Sequence, residues 1–164
     1  MKQIVVITLL LFLAGCVSTK APDSADMSRA KTVTADGLKL RVPRHFKKFE
    51  ENGVVLLRPE PPVRPSPGVL IKRETTTDPY VVLDRAMHKI RTKMGGAPLA
   101  ITTTIAGRQC MGITDELPTH FIWLYAIPGE GVIWTLQVIA PIQWTDAQAL
   151  ALHDMVVGSV RLIR

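Results

Sequence analysis

The sequence predicts an α+β domain: a twisted, mainly antiparallel sheet built of hairpins and covered by two helices. Three observations predict it. The two-residue turn signals Asp36-Gly37 and Ala106-Gly107 each join β-prone runs. Two segments, opening at Asp78 and at Thr145, combine a helix-start signal with an apolar stripe at helical spacing. Residues 121–126 are apolar on both strand faces, with Phe121, Trp123 and Tyr125 pointing one way and Ile122, Leu124 and Ala126 the other. A sheet wetted on one side would alternate apolar with polar, so this one needs cover on both sides.

The chain begins MKQIVVITLLLFLAGCVSTK, a single Lys2 followed by an apolar run from Ile4 to Leu13 interrupted only by Thr8. About ten residues at ~1.5 Å rise span roughly 15 Å, half of a ~30 Å hydrocarbon core. That length fits the apolar region of a secretory signal peptide, and Ala14-Gly15 supplies small residues for cleavage. Leu13-Ala14-Gly15-Cys16 resembles the lipobox of bacterial lipoproteins. The resemblance implies that Cys16 receives a diacylglycerol, that residues 1–15 are removed, and that the new amine is acylated. Two or three acyl chains then anchor the protein stably, where one would bind only marginally. Val17 stands where the enterobacterial inner-membrane signal has Asp, which implies the outer membrane, facing the periplasm, with inner-membrane anchoring as the alternative.

Residues 16–31 then form a polar tether with no apolar period. The folded domain is expected over 32–164, long enough for one real core. The formal net charge is +6, of which Lys2 contributes one. Export argues against nucleic acid as the partner of that charge. Anionic head groups, cell-wall polymers or an acidic envelope protein are the candidates. The chain has two cysteines, so lipidation of Cys16 leaves Cys110 without a disulfide partner.

Within the domain, TVTADGLKLRVP predicts the first hairpin, and Asn52-Gly53 introduces a strand over Val54–Arg58. PEPPVRPSPG follows, with five prolines in residues 59–67, a density that predicts a stiff surface loop. Arg58 and Arg64 make that loop a candidate recognition element. Val69–Thr75 reads as a strand. Asp78-Pro79 supplies an N-cap and first-turn proline, and Leu83, Met87, Ile90 and Met94 form the stripe of the first helix. Gly95-Gly96 and Pro98 stop it. Leu99–Ile105 with Arg108–Asp115, and His120–Ile127 with Val132–Ala140, read as two hairpins. Thr145-Asp146-Ala147-Gln148 is a capping-box pattern, Ala149, Leu152, Met155 and Val156 give the second helix its buried stripe, and Gly158 ends it. Ser159–Ile163 reads as a last strand.

This order is similar to the PsbP-like α/β/α sandwich, found also in small DcrB-like bacterial lipoproteins. The opening T-V-T-A-D-G-L-K-L-R-V-P hairpin and the closing helix running into S-V-R-L carry the resemblance, over residues 32–164. It implies a protein that binds, supports or assembles other proteins.

Side chains with chemistry are few. Asp84 and His88 are one helical turn apart, a spacing read as a surface ion pair since two ligands do not make a metal site. Asp115, Glu116 and His120 flank a strand junction, where carboxylates beside an imidazole could do acid–base work. The reading favours a solvated turn around Pro118. Cys110, in mid-strand, reads as a buried thiol. No nucleophile motif or phosphate loop is present. The sequence therefore predicts no enzyme, no metal and no cofactor. Arg85, His88, Lys89, Arg91 and Lys93 lie off the apolar stripe of the first helix and form a candidate face for lipid head groups or an acidic partner. Expected function is a membrane-anchored periplasmic lipoprotein acting as a binding or assembly-support module for an envelope protein. The alternative is an immunity protein that neutralises a periplasmic toxic effector.

Overall fold

The computed structural model describes residues 27, 29–60 and 65–163. The leader, Cys16 and Arg64 lie outside the described residues. Among the described residues, ten strands and two helices follow in the order β1 (Ala30–Ala35), β2 (Leu38–Pro43), β3 (Phe46–Glu51), β4 (Val54–Pro59), β5 (Gly68–Glu74), α1 (Pro79–Lys89), β6 (Leu99–Ile105), β7 (Arg108–Glu116), β8 (His120–Pro128), β9 (Ile133–Pro141), α2 (Asp146–Val157) and β10 (Arg161–Leu162).

The strands form two antiparallel sheets. The larger has seven strands in the order β3-β4-β5-β9-β8-β7-β6, and the smaller has three in the order β1-β2-β10. Each two-residue turn works as its sequence requires. Asp36 and Gly37 take φ 47° and 86°, Asn52 and Gly53 take 51° and 72°, and Ala106 and Gly107 take 52° and 75°. Left-handed backbone at both central positions matches the twist of the flanking strands.

Strand β3 was not expected. Its sequence FKKFEE exposes Lys47, Lys48, Glu50 and Glu51, so no apolar alternation marks it. It is an edge strand, and those charges keep the open edge from pairing with another chain. The last strand is shorter than expected: only Arg161 and Leu162 pair with β2.

The two faces of the large sheet build two core clusters. One gathers Leu57, Val69, Ile71, Leu136, Val138 and Ala140 of that sheet with Leu38 and Leu40 of the small sheet and Leu152 and Val156 of α2. The other packs Ile113, Ile122 and Leu124 against Val82, Leu83 and Ile90. Each fully buried aliphatic side chain contributes roughly 1.5–3 kcal/mol by leaving water. Both faces of β8 are thus covered, as its double apolar pattern requires, and one cover is a second sheet together with a helix rather than a helix alone.

Both helices start where the sequence says. The Asp78 side chain accepts from Tyr80 N at 2.9 Å, with Pro79 in the first turn. Thr145 and Gln148 close a reciprocal capping box. The end of α1 departs from expectation. Ile90–Met94 widens into a π-type turn in which Gly95 N–H reaches back to Ile90 O. The extra residue per turn rotates the stripe, so Ile90 stays buried while Met94 is 41% exposed.

Candidate functional site

The residues singled out by sequence fall in separate places. Arg85, His88, Lys89, Arg91 and Lys93 are all exposed on α1 and the turn that follows it. Arg85 Nη1 lies 3.9 Å from Glu74 Oε2 on β5, a carboxylate that also takes Lys72 at 2.8 Å. His88 and Lys89 sit in the last turn of α1, where positive charge favours the helix dipole. No ion pair joins Asp84 to His88 among the described residues.

Arg58 is half-buried in β4, its guanidinium 4.4 Å above the Phe49 ring. It shares the α1 face of the large sheet, but α1 packs over β7 and β8, and β5 and β9 lie between.

Asp115 and Glu116 alternate along β7, opposite Ile122 and Phe121, and so point to opposite faces. His120 Nδ1 shares a 2.8 Å hydrogen bond with Thr119 Oγ1, and burial pushes its pKa below the usual imidazole value. Among the described residues, no hydrogen bond joins it to either carboxylate. Cys110 is fully buried. Burial pushes its thiol pKa up, outweighing a backbone hydrogen bond and the Arg108 charge.

Sequence reasoning missed two features. The first is a chain of side chains between β8 and α2. Tyr125 Oη and His153 Nε2 share a 2.6 Å hydrogen bond, and His153 Nδ1 lies 2.8 Å from Asp154 Oδ1. The Trp123 and His153 rings are 5.1 Å apart. Burial, with a smaller push from the Asp154 charge, raises the Tyr125 pKa to about 12.

The second is a cleft of about 740 Å³ where the hairpin tips of the two sheets meet. Its lining includes Arg73 at the end of β5, Arg108 just after the Ala106-Gly107 turn, and Arg161 in β10, with Trp134 of β9 beside them. Trp134 is the pin of this region. Its Nε1 donates to Asp36 O at 2.6 Å, joining the large sheet to the first hairpin of the small one. A Cβ at Gly129 would strike the benzo edge of the indole, so a larger residue there would displace the ring, while Gly37 is held to glycine by its left-handed φ of 86° and lies in ordinary contact with the ring. The neighbouring Gly37 O accepts from Ile163 N at 2.9 Å.

Two of the arginines are fixed by backbone. Arg108 Nη1 donates to Pro128 O at 3.0 Å, and Arg161 Nη1 donates to Val160 O at 2.6 Å. Asp36 and Glu130 line the same cleft, yet none of the three guanidiniums pairs with a carboxylate among the described residues. One signal could have found them. Arg73 continues the inward period of Val69 and Ile71, and Arg108 that of Cys110. A cation where the period calls for an apolar residue marks the place where the core opens.

The chain has the fold of the PsbP-like α/β/α sandwich, with two helices over antiparallel sheets. The solution structure of the cyanobacterial PsbP (CyanoP) from Synechocystis superposes with a TM-score of 0.60 at 12% identity, over 82% of this chain and 92% of that one. LpqN of Mycobacterium tuberculosis, described as involved in cell envelope biogenesis, gives 0.51 at 16% identity, over 82% and 91%. A protein from Bacteroides thetaiotaomicron gives 0.53 at 14% identity over 83% of this chain, which spans 49% of that longer one. No protein-family model and no curated protein matches the sequence. No helix among the described residues is long and apolar enough to cross a membrane.

Proposed function

We propose that this chain is a lipid-anchored, non-catalytic binding module of the bacterial cell envelope. Cys16 carries the acyl chains, residues 16–31 tether the domain, and the domain faces the periplasm from the outer membrane and binds an envelope component. The observation that carries the binding reading is the cleft between the sheet ends. It is a concave recess of small-molecule size at the strand ends, lined by three guanidiniums against two carboxylates, Asp36 and Glu130, with no ion pair between them among the described residues. Cys110, the thiol left after lipidation, is sealed in the core with its proton retained, which opposes a nucleophilic role. The likeness to LpqN, whose described involvement is in envelope biogenesis, supports the location.

Expression in a Gram-negative host with labelled palmitate tests the anchor. The expected outcome is label on the wild type and none on Cys16→Ser, with the wild type in outer-membrane fractions. An unlabelled wild type overturns the anchoring. Crosslinking in intact cells, followed by purification, tests the binding. A stoichiometric envelope component supports it, and recovery of the chain alone at every crosslinker length counts against it.

A further inference from the structure

We infer that the cleft formed by Arg73, Arg108 and Arg161 around Trp134 is a binding site for a phosphate-bearing anion. This deepens the binding reading by naming the ligand class, and it rests on that reading only in placing the bound component in this cleft. Three arguments carry it. First, the cations converge from residues far apart in sequence, on β5, β7 and β10. Such convergence has to be built by the fold and is not a by-product of a charged segment. Second, Arg108 Nη1 donates to Pro128 O and Arg161 Nη1 donates to Val160 O and Gly158 O, which restrains both guanidiniums and leaves their Nη2 and Nε donors for a ligand. Restraint of this kind lowers the ordering cost of binding. Third, the ligand's own geometry decides between anions. A carboxylate has two oxygens and one charge, which one guanidinium fork satisfies. A phosphate presents at least two charged oxygens in tetrahedral directions, and a pyrophosphate more, which is what several forks around one recess can engage.

The same phosphate chemistry reaches an envelope protein from two sources, a free phosphorylated solute or an anionic phospholipid head group. Titration calorimetry of the full chain in a non-ionic detergent, with inorganic pyrophosphate as the probe, addresses the first. Flotation of the full chain with phosphatidylglycerol vesicles, against phosphatidylcholine vesicles, addresses the second. Each of Arg73→Gln, Arg108→Gln and Arg161→Gln should weaken binding about 10- to 100-fold, the loss expected for a charge-assisted hydrogen bond. Arg108→Lys, which keeps the charge and loses the fork, should fall between wild type and Arg108→Gln. Lys48→Gln removes one positive charge on β3, where Lys48 pairs with Glu50 at 2.6 Å, and should leave affinity unchanged. Circular dichroism and urea midpoints confirm that each variant is folded.

Arginine-dependent binding of pyrophosphate alone assigns a solute site, and of phosphatidylglycerol alone a head-group site. Either supports the inference. Equal weakening by Lys48→Gln, or no binding of either probe, overturns it. Arginine-dependent capture of an acidic peptide with neither phosphate probe bound also overturns it, while leaving the broader binding reading standing. Palmitate labelling is independent of all these outcomes, so a failed anchor and a failed anion site are told apart.

Discussion

Two cationic regions lie on opposite faces of the large sheet, and they are built by opposite means. On the α1 face, Arg85, His88, Lys89, Arg91 and Lys93 follow one another along a single helix and its widened last turn, all exposed. On the other face, Arg73, Arg108 and Arg161 arrive from three strands and line one recess beside a buried tryptophan. The first region has more charges, but helical geometry fans them out into water, where screening weakens each one. The second has fewer, with Arg108 half-buried and Arg73 and Arg161 exposed at the rim, but all three line one recess, whose concave walls focus their field on a ligand. Local charge density in a sequence and convergence of charge in space are therefore different properties.

The comparison is broken most sharply by removing what shapes the recess. Trp134→Ala should cost about 3–5 kcal/mol, the range for deleting a large buried aromatic, because it also strands Asp36 O, which now accepts from Nε1. Urea unfolding measures it. A loss below about 1 kcal/mol would show that the sheet ends are not pinned there. Gly129→Ala drives a methyl toward the same ring and should cost about 1–3 kcal/mol as overpacking.

A second test asks how firmly the cleft side of the sheet is tied to α2. Tyr125→Phe removes the 2.6 Å bond to His153 and should cost about 1–3 kcal/mol near neutral pH, since it leaves a half-buried imidazole nitrogen short of a partner. The pH dependence has a definite sign. Tyr125 is raised from 10.0 to about 12, so the folded state keeps its proton after the unfolded chain has released it. This contribution is fully present below the unfolded pKa and is lost as pH rises through the folded one. Urea midpoints across that alkaline window should show the gap between wild type and Tyr125→Phe closing. A gap independent of pH would mean that the phenol gains nothing from the site.

Much of this frame was legible in the sequence, and the reason is local chemistry. Asp36-Gly37 and Ala106-Gly107 specify hairpin turns by their own backbone freedom, Asn52-Gly53 marked only the start of β4, and Asp78 and Thr145 specify helix starts by their own side-chain oxygens. The double-faced β8 announced cover on both sides. Strand β3 was invisible because its partner β4 and its place at the edge hold FKKFEE extended, not any apolar period. The second sheet was invisible because whether a hairpin joins its neighbours or crosses over them is settled by long-range packing. The cleft was invisible for the same reason. Arg73 faces Trp134 only through the β5–β9 register, and nothing near residue 161 points to residue 108. The α1 cations were easy to see because they are adjacent, which is also why they do not converge.

A smaller effect tests the foundation of α1. Asp78→Ala deletes the acceptor for Tyr80 N and should cost about 1 kcal/mol, the usual loss for an N-cap. The loss should appear as faster hydrogen exchange in the first turn of α1, with β5 and β9 unaffected. Uniform acceleration across the domain would instead mean that α1 and the sheet open together.

The smallest expected effect is the most direct on the comparison. Lys89 and Arg91 are exposed and form no ion pair among the described residues. Lys89→Gln and Arg91→Gln should each shift stability by no more than about 0.5 kcal/mol, as surface substitutions do. Arg91 should be the larger of the two, because it stands in the widened last turn that closes the helix at Gly95, nearer the negative end of the dipole than Lys89. Both variants keep the three cleft arginines, so flotation with phosphatidylglycerol vesicles should fall far less than it does for Arg108→Gln. If instead the α1 variants abolish flotation and Arg108→Gln leaves it intact, the fanned-out charges are the docking surface. The convergent ones would then be a by-product of how the two sheet ends meet.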